Sequence, residues 1–64
     1  MARATVYTLS GAAIEFDLAG DEAQLRLSLN DSLKQGTGSI SGAMVDGGIA
    51  VVPVRNVDYI EIAD

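Results

Sequence analysis

Residues 21–35 read DEAQLRLSLNDSLKQ, and whether this stretch forms a helix or a strand decides the fold. Leu25, Leu27 and Leu29 alternate with Arg26, Ser28 and Asn30, as they would in a strand whose side chains point to opposite faces in turn. The end signals favour a helix. Asp21 stands where an N-cap belongs, with Gln24 three residues on as the partner in a capping box. Asp21 and Glu22 place negative charge at the first turn, Lys34 lies in the last turn, and Gly36 follows as a stop. None of the fifteen residues is β-branched, and Leu, Glu, Gln, Arg, Lys and Ala are good helix formers. The stretch is therefore predicted to be helical.

On that helix Leu25, Leu29 and Leu33 recur every four residues and make one apolar stripe. Leu27 falls about 200° round from either leucine neighbour, with Ala23 beside it. Ala23 and Leu27 are thus expected to face away from the sheet, where another subunit could cover them.

Working outward toward the N-terminus, residues 13–18 (AIEFDL) alternate cleanly, with Ile14, Phe16 and Leu18 on one side and Glu15 and Asp17 on the other. Residues 4–10 (ATVYTLS) are rich in β-branched and aromatic residues and contain no breaker. With Ser10 and Gly11 as the turn, the two form an antiparallel hairpin. Toward the C-terminus, residues 39–46 (SISGAMVD) and 49–54 (IAVVPV) are strand-like and are joined through Asp46, Gly47 and Gly48, a strong hairpin signal. Pro53 cannot donate to a ladder and belongs on an edge or at a bulge. Arg55 and Asn56 allow a change of direction into residues 57–62 (VDYIEI), with Ile60 and Ile62 on one face and Tyr59 and Glu61 on the other. The expected fold is one α+β domain over residues 1–64, in ββαβββ order, an antiparallel sheet with one helix on one face. A strand at 21–35 would instead give an all-β meander or small barrel.

The run GTGSISGAMVDGG at 36–48 holds five of the seven glycines and invites comparison with phosphate cradles. The P-loop pattern needs a lysine and a hydroxyl residue after its second glycine, and here Gly47 is followed by Gly48 and Ile49. The dinucleotide fingerprint leaves a strand and enters a helix, whereas this run leaves the helix and enters strands. Local roles account for the glycines: Gly36 stops the helix, Gly38 starts a strand, Gly42 marks a bulge or close approach, and Gly47 with Gly48 turns a hairpin. A backbone amide nest at Thr37–Ser39 is the other reading of the run.

The chain has no Cys and no His, which removes disulfides, the usual zinc ligation and thiol chemistry; no metal and no cofactor is expected. A nucleophile or base would have to come from Ser, Thr, Lys or the carboxylates. Ser32 and Lys34 point in different directions on a helix, and Glu15 with Asp17 reads as the wet side of a strand. An enzyme is not expected. Nine acidic against four basic residues, a net charge of −5, provide no basic stripe, so nucleic acid is a disfavoured partner. No run approaches the ~20 apolar residues of a membrane span. The start MARATVYTLSG lacks the apolar core of a signal peptide, so a cytoplasmic location is the expectation.

Apolar residues are 48% of 64, mean hydropathy is +0.27, and the aromatics are Tyr7, Phe16 and Tyr59 alone. A chain this short without crosslinks or metal builds a thin core, and self-association is the remaining way to cover apolar surface. The expected function is that of a non-enzymatic homo-oligomer acting through protein contacts, as a structural subunit or small regulator or inhibitor of another protein. Its contact residues are expected at Ala23 and Leu27 and along a sheet edge near Val52, Val54 and Val57. The alternative is an oligomer that holds a small anionic ligand, such as a nucleotide, at a subunit interface through Arg55, Asn56 and Tyr59.

Overall fold

The helix at residues 21–35 forms by the local devices its ends supply. A computed structural model, which describes residues 3–18 and 20–63, places helix α1 at Glu22–Gln35. The Gln24 amide donates to Asp21 Oδ1 at 2.9 Å and the Asp21 amide to Gln24 Oε1 at 3.1 Å, which closes the capping box and satisfies two otherwise orphaned donors. Gly36 ends the helix in the left-handed conformation, φ 72°. Leu25 and Leu29 are buried and Leu33 half-buried, so the predicted stripe is the packed face.

The remaining elements are strands β1 (Arg3–Thr8), β2 (Ala13–Asp17), β3 (Ser39–Ala43) and β4 (Ile49–Pro53), a 3₁₀ turn at Val54–Asn56, and strand β5 (Val57–Ala63). The class is α+β and the order ββαβββ, as the periodicities predict. The strands divide between two antiparallel sheets: three strands in the order β2-β1-β5, and the two-stranded hairpin β3-β4. They meet where Phe16 bridges Met44 and the Val45 amide donates to the Glu15 carbonyl at 3.1 Å. Helix α1, inserted in the chain between β2 and β3, packs against β3 and β5.

The β3-β4 turn shows why glycine is needed there. Gly47 donates to the Met44 carbonyl at 3.1 Å and Met44 donates to the Gly48 carbonyl at 3.0 Å, while Gly47 sits at φ 99° and Gly48 at φ 80°. This is a turn followed by a left-handed residue, a conformation that side chains other than glycine's resist. Gly42 is needed for space: a Cβ there would stand 2.9 Å from Leu18 Cδ2.

One core lies between the sheets and the helix, made of Ala4, Val6, Phe16, Leu25, Leu29, Ile40, Val52 and Val54. Every strand except β5 and the helix contribute to it directly, and Ile60 and Ile62 of β5 pack against its margin. Phe16 and Val6 are the largest side chains wholly removed from solvent. Among the described residues no buried side-chain polar atom lacks a partner, because none of the buried residues is polar. No helix of the described residues is long and apolar enough to cross a membrane.

Candidate functional site

The two open sheets have four edge strands, and their surroundings differ; β3 lies beside β2 and α1. The free side of β2 receives Met44 and Val45 from the β3-β4 turn. The free side of β5 carries Asp58 and Glu61, and Asp58 is an extra residue: Tyr7 pairs with Tyr59 and Thr8 with Val57, so the ladder steps over Asp58 in a bulge. The free side of β4 has neither feature. Residues 47–54 (GGIAVVPV) contain no ionisable group, and β4 pairs with β3 alone.

The direction of each main-chain group on β4 follows from its pairing. The Gly48 carbonyl accepts from Met44 and the Val54 amide donates to the Gly38 carbonyl at 3.0 Å, so the even-numbered residues from 48 to 54 turn their polar groups toward β3. An unbroken register between Ile49 and Pro53 then leaves the N–H and C=O of Ile49 and Val51, and the C=O of Pro53, facing outward. Pro53 falls where its missing N–H would have pointed to solvent, the one place a ladder tolerates it.

The side chains sort by the same period. Val52 and Val54 are buried in the core and Val57 packs against it half-buried, whereas Ile49 is 77% and Val51 64% exposed. Val52 lies on β4, Val54 on the 3₁₀ turn and Val57 on β5 of the other sheet, so the three expected residues share no single edge; their side chains pack inward, and the apolar side chains exposed on β4 are Ile49 and Val51. Sequence reasoning missed them because β4 is apolar on both faces, so alternation marks neither as the wet one. Pro53 signals only which main-chain groups face away from β3; which side-chain face is buried has no local signal.

Beside β4 lies a hollow of about 520 Å³ whose walls include Leu9, Ile14, Val51, Pro53 and Asn56. Leu9, 69% exposed, lines the same hollow. On the exposed face of α1 Leu27 is 70% exposed with Ala23 exposed beside it, as the helical periodicity predicts.

Arg55 and Asn56 are exposed on the 3₁₀ turn, and the Asn56 carbonyl accepts from the Leu9 amide at 2.8 Å. Tyr59 lies on the outer face of the three-stranded sheet, stacked on Tyr7 with ring centroids 4.4 Å apart. Within one chain, then, Asn56 and Tyr59 line different hollows, Asn56 the one beside β4 and Tyr59 one between α1 and β5.

The outer face around Tyr7 is polar. Tyr7 donates to Glu61 Oε1 at 2.8 Å, and Arg3 lies 3.8 Å from Glu15. The hydrogen bond to the Glu61 carboxylate raises the Tyr7 pKa above its ordinary 10.0, with desolvation and the Glu61 charge adding to it. These exposed pairs are surface interactions of small energy. Compared with known protein families, characterised proteins and solved structures, the chain matches none.

Proposed function

We propose that this chain is a non-enzymatic homo-oligomeric protein that acts through protein contacts, as a structural subunit or small regulator. The observation that carries this reading is the β4 edge: outward main-chain donors and acceptors together with exposed Ile49 and Val51, on a strand without one charged residue. Natural sheets normally shield such an edge with charge, a bulge or a covering segment, because it is a template for another strand. Covering Ile49 and Val51 would contribute up to about 1.5–3 kcal/mol each, a large amount for a domain with so thin a core.

Sedimentation velocity and native mass spectrometry across the micromolar range test the reading. Self-association that rises with concentration is the expected result. A chain that stays monomeric throughout, while folding cooperatively, overturns it.

A further inference from the structure

We infer that the hollow between α1 and β5 is a binding site for a free amino acid with an apolar side chain, its carboxylate taken by Arg26 and its ammonium group by Asp58. The inference goes beyond the contacts proposed at β4, because no residue lining this hollow lies on that strand.

The two elements build the hollow by their own periods. Arg26, Leu29, Asn30 and Leu33 are spaced i, i+3, i+4 and i+7, so they share one stripe of α1. Ile60 and Ile62 of β5, two residues apart, lie on the strand face that packs toward the core. Asp58 borders the same hollow as the extra residue of the bulge, a device that re-aims side chains next to functional sites. The volume is about 460 Å³, within the range of small-molecule sites. Leu29 is buried and Leu33, Ile60 and Ile62 are half-buried, so the deeper lining is apolar, whereas Arg26, Asn30 and Asp58 are exposed.

Those polar groups have bonding capacity left for a ligand. Among the described residues the one ion pair joins Arg3 to Glu15, so Arg26 and Asp58 border one hollow without closing on each other. Nor do the side chains of Arg26, Asn30 and Asp58 take part in any hydrogen bond among the described residues.

Opposite charges on one hollow select the charge of its occupant. A simple anion drawn to Arg26 is repelled by Asp58, and a simple cation drawn to Asp58 is repelled by Arg26; a molecule that carries both charges is favoured at both. The chain's net charge of −5 opposes the approach of anions but not of a zwitterion. The rest of the ligand must be apolar, because the side chains of Leu29, Leu33, Ile60 and Ile62 offer no polar group to satisfy it. An amino acid such as leucine or phenylalanine meets all of these demands.

Amide NMR of the isotope-labelled chain reads the site directly. L-Leucine or L-phenylalanine should shift the amides of Leu29, Leu33, Ile60 and Ile62 saturably, with a Kd of about 1 mM or below, as suits an open site that covers a small ligand in part. N-acetyl-L-leucine, which lacks the positive charge, and L-leucinamide, which lacks the negative one, should bind at least about tenfold more weakly. Arg26→Gln and Asp58→Asn, both at exposed positions, should each weaken L-leucine binding by about tenfold, with circular dichroism unchanged.

The absence of any saturable shift up to about 10 mM ligand overturns the site. Saturable shifts at other residues overturn its location. Equal binding of leucine and its two derivatives, or weakening by only one of the two substitutions or by neither, overturns the roles of Arg26 and Asp58.

Discussion

Strands β4 and β5 both end a sheet, yet they handle their exposed edges in opposite ways. β5 carries Asp58 and Glu61 and is bulged at Asp58, so its ladder is interrupted and its charge repels a neighbouring strand. β4 is flat in register, uncharged from end to end and apolar on its exposed face. The protections on β5 are charge and a bulge; β4 has only Pro53 at its end, and that difference is what supports the proposal that β4 meets a partner.

The comparison depends on one core serving both sheets, and the largest expected effect comes from removing that dependence. Phe16 is fully buried where the sheets meet, and Phe16→Ala should cost about 3–5 kcal/mol, enough to unfold so small a domain in a thermal melt. A melt that stays cooperative and near its original midpoint would mean that the sheets do not share a core.

Next in size is the edge itself. Val51→Lys leaves the fold within about 0.5 kcal/mol, because the side chain is exposed, but should reduce association by about tenfold or more. Unchanged association would make the two edges equivalent. The helix cap gives a control that touches neither edge: Asp21→Ala should cost about 1 kcal/mol in denaturant unfolding and leave association unaltered once the fold is intact.

Two smaller effects sharpen the view of β5. The folded chain holds the Tyr7 proton more tightly than the unfolded chain does, since its pKa is raised above 10.0. Its contribution is therefore fully present below the unfolded pKa and is lost as pH rises through the folded value. Glu61→Gln should move the onset of tyrosinate absorbance to lower pH; an unmoved onset would deny the hydrogen bond its role. Asp58→Val removes one charge but keeps the extra residue, so association through β5 should rise by less than about threefold, read by sedimentation.

Much of the fold was legible because its signals act over a few residues. Asp21, Gln24 and Gly36 specify the helix ends through bonds and dihedrals made within one turn, and they outweighed the misleading alternation at Leu25, Leu27 and Leu29. Ile14 and Phe16 against Glu15 and Asp17 set the faces of β2 directly. The exposed Leu27 followed from helical geometry alone. Other features were not written locally. The bulge at Asp58 arises only when β5 meets β1, and the Tyr7–Tyr59 stack joins residues 52 positions apart. Asn56 and Tyr59 are close in the chain, but the passage from 3₁₀ turn to strand sets them in different hollows.

By itself the sequence determined the helix and its caps, the two hairpins and the ββαβββ order, since each rests on hydrogen bonds or dihedral preferences between near neighbours. Tertiary structure alone decided that the strands divide into two sheets and that Val52 and Val54 face inward while Ile49 and Val51 face out. A strand with apolar residues on both faces has no local preference for either. The choice is made by distant side chains such as Phe16, Leu25 and Ile40, because burial is a relation between elements brought together by folding.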